Sequence, residues 1–216
     1  MKGMHWVTLA IGVAVALVGI GVWATQARGP ALPGFVSAEK SGKSRGEEQL
    51  AVAHVGTAGL VDQDGNGFSL EGLEGRTVVV NFIFTRCPSV CPTQTKALTR
   101  VQQGLPAELR ARVRFVSVTV DPEHDTPVIL RRYAAAQGAE LSSWSFVTGP
   151  SAATDALGRR FKAEVKALGG GQFDHRAAVH LLDAKGRLVQ TYSGPSPDEK
   201  RLVQEIETVD RMFNQH

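Results

Sequence analysis

Residues 77–92 read TVVVNFIFTRCPSVCP, and the order of these residues decides the fold. Thr77–Phe84 is a nearly continuous apolar run, as expected for a strand covered on both faces. The loop after it holds both cysteines of the chain, Cys87 and Cys91, each followed by proline. Proline disfavours helical geometry in the residue before it, so a helix is expected to begin at Pro92 and run to about Gly104. A buried strand ending in a short loop at a helix amino terminus is a unit of an open α/β sheet. Ligands of such sheets gather beyond the carboxyl ends of the strands.

Downstream, Val113–Val120 (VRFVSVTV) alternates and reads as a strand. Thr126-Pro127 opens a helix to about Ala136, with proline at a favourable first position. Trp144–Val147 is a short strand and Ala152–Val165 a helix. Ala177–Leu182 and Arg187–Tyr192 flank Asp183-Ala184-Lys185-Gly186 as a hairpin, and Pro197–Phe213 is a closing amphipathic helix. The order β-α-β-α-β-α-β-β-α predicts an α/β fold, a central mixed sheet with helices on its faces. This is the element order of a thioredoxin-like fold, with an additional hairpin ahead of it around Gly59–Leu70. Asp62-Gln63-Asp64-Gly65-Asn66-Gly67 within that hairpin begins like a calcium loop, but Leu73 stands where the loop's closing Glu belongs. Asp-Gly and Asn-Gly are read there as hairpin-turn pairs.

Upstream, Trp6–Ala24 (WVTLAIGVAVALVGIGVWA) carries no charge and has a tryptophan near each end. At helical rise it spans roughly 28 Å, close to the thickness of a bilayer core, with the tryptophans at interfacial depth. Cleaved signal peptides have shorter apolar cores, about 7–15 residues, so residues 6–24 read as a transmembrane anchor. Residues 1–5 form a short tail, 25–55 a Gly-, Pro- and Ser-rich tether, and 56–216 the folded domain. Counting Lys2 against Arg28, Lys40, Lys43 and Arg45 would leave that domain in the cytoplasm, although long domains cross largely regardless of charge.

The 216 residues are 43% hydrophobic and 21% charged, which is globular composition. Lys and Arg number 24 against 21 Asp and Glu, a net charge of +3, and no basic stripe interleaved with aromatics appears. Nucleic acid is therefore not an expected partner. Two cysteines four positions apart do not make the disulfide framework of a small secreted fold; they point to redox or metal chemistry. At a helix amino terminus, exposed N–H groups and the dipole favour thiolate, the form that binds soft metals. Thioredoxin-type oxidoreductases use a two-residue spacer; the three-residue spacer here leaves the sulfurs freer to spread around a metal and still permits a disulfide.

Two thiolates under-fill a soft-metal site, so a further donor is needed. Of six histidines, His5, His54 and His216 lie far from the loop in sequence context, and His124 lies in the turn after Val113–Val120. His175 and His180 bracket the start of a strand. In an extended backbone they point to opposite faces, so one site takes one of them. His175 is expected in a loop after Gly169-Gly170-Gly171, His180 in or near the core; spacing by itself leaves the choice open.

The motifs ThrArgCysProSerValCysPro at 85–92, ValAspProGluHisAspThrPro at 120–127, and AspHis at 174–175 before a strand and a Leu-Leu-Asp-x-x-Gly hairpin resemble the Sco/SenC family, copper chaperones of cytochrome c oxidase assembly. The resemblance spans about Thr57–Phe213. It implies that Cys87, Cys91 and His175 are the copper ligands, and that the domain is anchored at the bacterial inner membrane, facing the periplasm. It further implies delivery of copper to the dinuclear copper subunit of a haem–copper oxidase, with other copper chaperones as further partners. Two thiolates and an imidazole suit Cu(I) and adapt to Cu(II) with added donors. Relatives usually have Asp where this chain has Ser89, which removes a negative charge beside the site. Asp125 or Thr126 is read as the cap of the helix that begins at Pro127, and Asp121 as a turn residue at a strand end, with orienting a ligand from behind as its alternative role.

The competing expectation is an enzyme, a thiol–disulfide oxidoreductase or a peroxidase working through a redox-active Cys87–Cys91 disulfide. Thioredoxin-like reductases place a cis-proline opposite their cysteines, whereas residues 163–190 contain no proline. Peroxiredoxins place Thr three residues before the reactive cysteine, where this chain has Phe84 and Pro88.

Overall fold

The computed structural model of the protein describes residues 59–163, 165–169, 172–175 and 177–214. The expected anchor 6–24 and tether 25–55 lie outside them; among the described residues no helix is long and apolar enough to cross a membrane.

The sheet is built around β1 (Thr77–Ile83), buried at all seven positions as its apolar run requires. It pairs in parallel with β2 (Val113–Thr119) and antiparallel with β6 (Ala178–Leu182). β3 (Trp144–Val147) extends the sheet beyond β2, and β7 (Leu188–Ser193) beyond β6, for the order β3-β2-β1-β6-β7. A separate two-stranded sheet joins β4 (Val165–Gly169) to β5 (Gln172–His175).

Between the parallel strands run α1 (Val90–Gly104), the short α2 (Ala107–Arg112) and α3 (Pro127–Gln137). Successive crossovers in one direction place α1 and α3 on one face of the sheet. Gln94 of α1 meets Asn81 of β1 there, and Tyr133 of α3 meets Phe146 of β3. α5 (Glu199–Asn214) packs against α1 and β1 through buried Leu202 and Ile206. α4 (Ser151–Arg160) covers the other face, where Phe161 at its end meets Phe82.

Boundaries depart from expectation where local rules yield to context. α1 begins at Val90, so Cys91 and Pro92 lie in its first turn, where an N–H has no helical partner and proline loses nothing. α3 begins as expected: the Thr126 side chain accepts from the Ile129 amide and Pro127 follows. The helix expected to reach Val165 ends at Arg160, and Val165 instead opens β4. His175 closes β5 opposite Val165, a strand position and not a loop. The first hairpin is reduced to a bridge between Val61 and Gly67, with Val61 also bridging Thr148. In that turn Asp62 Oδ1 accepts the amides of Asp64 and Asn66, and Asp64 pairs with Arg131. The acidic groups are thus spent on the turn and an ion pair, in line with the hairpin reading.

Candidate metal centre

The cysteine loop begins where β1 stops. The Cys87 amide donates to the Phe84 carbonyl at 3.2 Å, closing a turn, and the Cys91 amide at the start of α1 donates to Cys87 Sγ at 3.3 Å. Both cysteines are free and buried; Cys87 is 9% exposed and Cys91 1%. One turn along α1, the Thr95 hydroxyl donates to the Cys91 carbonyl at 2.8 Å. With that proton committed, the Tyr133 hydroxyl donates to Thr95 at 3.1 Å.

The helix amino terminus does not turn Cys91 into a thiolate. Burial pushes its thiol well above the ordinary value; a hydrogen bond with the Phe84 backbone opposes this, and the neighbouring Cys87 and Asp125 add to it. Desolvation outweighs the dipole because the sulfur has no water to support a charge. The helix-terminus N–H goes instead to Cys87. Two adjacent buried sulfurs, Cys91 the more enclosed and held as a thiol, are donors of the soft type that thiophilic cations take.

The second motif supports the first. Asp125 is fully buried and accepts hydrogen bonds from the Thr85 amide at 3.1 Å, from the Thr85 hydroxyl and from the Thr119 hydroxyl. Asp121, also buried, accepts from Arg86 Nε at 3.1 Å and Nη2 at 2.6 Å. The capping role is filled by Thr126 and not by Asp125. Asp121 and Asp125 are therefore residues the sequence reading undervalued: they grip the loop residues directly ahead of Cys87. The signal was present in the parallel pairing, because Ile83 and Thr119 are register partners. Residues just beyond two such strand ends are neighbours in space.

Among the histidines, His180 is on the face away from α1, as strand parity requires. It is 3% exposed, lies against Phe82 and Phe161, and shares a 3.1 Å hydrogen bond between Nδ1 and Thr191 Oγ1. Its Nε2 has no partner, and burial holds the ring down to about 4. A ring in that position is a core residue and not a ligand of the cysteine loop. His124 is a half-buried turn residue whose amide donates to the Asp121 carbonyl. For His175 the structure gives the strand and its pairing with Val165; its side chain, like His5, His54 and His216, falls outside what is described. Among the described residues no three His, Cys, Asp or Glu side chains are arranged to hold a metal; those residues bring Cys87 and Cys91 together and supply no third donor from among themselves.

The sequence model of the SCO1/SenC family matches residues 47–210. A SCO1 protein homolog of Bacillus subtilis is 37% identical over 136 residues, 62% of this chain and 70% of that protein. The solved structure of BsSco, a member of the Sco family of cytochrome c oxidase assembly proteins with a disulfide switch, superposes with a TM-score of 0.63. It is 30% identical and covers 71% of this chain and 91% of its own. Copper-bound ScoI of Bradyrhizobium japonicum superposes with a TM-score of 0.60 over 70% of this chain and 96% of its own; at 23% identity it shares the fold.

Proposed function

Because this chain belongs to the SCO1/SenC family, we propose that it carries copper as cargo, bound by Cys87, Cys91 and His175, for the assembly of a haem–copper oxidase. The observation that carries this reading is the pair of free sulfurs joined through the Cys91 amide on a strand-to-helix loop. Thiolate donors suit Cu(I), and imidazole completes a three-donor set that a soft ion accepts. A site at the end of a strand, with Cys87 at its rim, suits hand-over to a partner better than a sealed one. The recipient is the dinuclear copper subunit of the oxidase, on the outer side of the membrane to which residues 6–24 anchor the domain.

The same pair supports a second reading. The two sulfurs are close enough for a side-chain hydrogen bond. Loss of two electrons and two protons to a disulfide partner would join them in an S–S bond and reduce that partner to two thiols. The chain would then act as a thiol–disulfide oxidoreductase on cysteines of the oxidase or another protein.

Anaerobic titration of the reduced full-length protein in detergent with Cu(I), against a competing chelator, separates the two. The copper reading expects one tight ion per chain, lost in Cys87→Ser and in Cys91→Ser, weakened in His175→Ala and unchanged in His180→Ala. Tight binding that survives His175→Ala removes that ligand from the assignment. Absence of tight binding together with fast disulfide exchange favours the oxidoreductase.

A further inference from the structure

A directed chain of buried hydrogen bonds runs from β3 through β2 and β1 to α1, the helix that carries Cys91. Trp144 Nε1 donates to Ser117 Oγ at 2.9 Å, and Ser117 Oγ donates to Asn81 Oδ1 at 2.7 Å. Asn81 Nδ2 donates to Gln94 Oε1 at 2.9 Å, and Gln94 Nε2 donates to the Gly194 carbonyl at 3.2 Å. All four side chains are at most 1% exposed. The indole can only donate and the terminal carbonyl can only accept, so the orientation of both amides is fixed from the two ends.

The chain continues past Gly194. Its amide donates to the Ala177 carbonyl at 2.8 Å, and Ala177 is two residues after His175 in sequence. Gly194 has a φ of +105°, a conformation that L side chains rarely adopt. Gln94 itself lies one turn beyond Cys91, on the helix that carries it. One side chain thus ties the cysteine helix to Gly194, whose own amide bonds the residue two positions after His175 in sequence. An apolar residue of the same length would fill the space and make neither bond.

We propose that Gln94 is a positioning residue that holds the Cys91 helix and the His175 strand in register, so that donors from two separate segments meet one ion. This rests on the copper reading above. It does not require Gln94 to touch the metal. Residues that orient metal ligands through hydrogen bonds commonly change affinity by about 10–100-fold when removed.

The test is a double-mutant cycle on the full-length protein, read by anaerobic Cu(I) competition and by hydrogen exchange of the metal-free form. Gln94→Met is expected to weaken Cu(I) binding by about tenfold or more, and by less than about twofold when His175 is already Ala, since coupled residues do not add. Exchange in residues 172–178 and at the Gly194 amide is expected to accelerate, while that of β1 and β2 is unchanged. Gly194→Ala, which strains the backbone at the other end of the link through its φ of +105°, is expected to reproduce both effects and stands in if Gln94→Met does not fold. Equal loss of affinity with and without His175, or unchanged exchange at 172–178, would overturn the proposal. Absence of Cu(I) binding in the native chain would instead overturn the copper reading, and the positioning link is then judged by exchange alone.

Discussion

Asp125 holds Thr85 by both its amide and its hydroxyl, and Thr85 stands two residues ahead of Cys87. The carboxylate also takes the Thr119 hydroxyl, so one sealed group joins the ends of two strands to the cysteine loop. Removing it strands three donors in the interior. Asp125→Ala is expected to destabilise the reduced protein by about 3 kcal/mol, read by urea unfolding, with Asn at this position intermediate because it keeps the shape and one acceptor. A change below about 0.5 kcal/mol would mean that the loop does not depend on this contact.

The two cysteines are expected to react at different rates. Cys91 is the more enclosed, and burial raises its thiol, whereas Cys87 reaches the rim. Alkylation follows the thiolate fraction and access. Iodoacetamide at pH 8, followed by peptide mass spectrometry, should label Cys87 at least about tenfold faster than Cys91. Equal labelling would show that the loop opens readily in solution.

His180 makes stability depend on pH. Its ordinary value of 6.5 is lowered to about 4 by burial, so between these values the unfolded chain binds a proton that the folded chain refuses. The stabilisation is complete above about pH 7 and is lost as pH falls toward 4, with a ceiling of about 3 kcal/mol. Denaturant unfolding at pH 7.5 and pH 4.5 should therefore show a smaller difference for His180→Leu than for the native chain. An identical difference in the two proteins would place the titration elsewhere.

Lys162 has a φ of +54°, and the amides of Lys162 and Ala163 donate back to Arg159 and Gly158. This is a helix terminus of the kind that glycine usually occupies. Lys162→Gly relieves the side-chain clash but adds freedom to the unfolded chain. The expected net gain is about 0.5–1 kcal/mol, visible as a raised Tm; a lowered Tm would show that the lysine stem contributes packing there.

The elements that position the site were legible because each follows a local rule. β1 needed only its apolar run, α3 only Thr126-Pro127, and the outward turn of His180 from α1 only strand parity. What escaped depended on distance in sequence. Asp125 reads as a cap until β2 is laid beside β1, and only then does its carboxylate meet Thr85. Gln94 reads as an ordinary polar helix residue until Gly194 arrives from a hundred positions away. The protonation of Cys91 is not legible in the loop, because the dipole of a helix terminus is local whereas the burial that overrides it is collective.

The parallel register of β1 and β2, with Ile83 beside Thr119, has a consequence for anyone recombining this domain with a relative. Residues 85–91 and 119–126 are separate cassettes on the gene and one object in space. A chimera that imports the cysteine loop without its aspartate turn would join a lock to a foreign key. The two segments are expected to transplant only as a pair, and a crossover between them is the breakpoint to avoid.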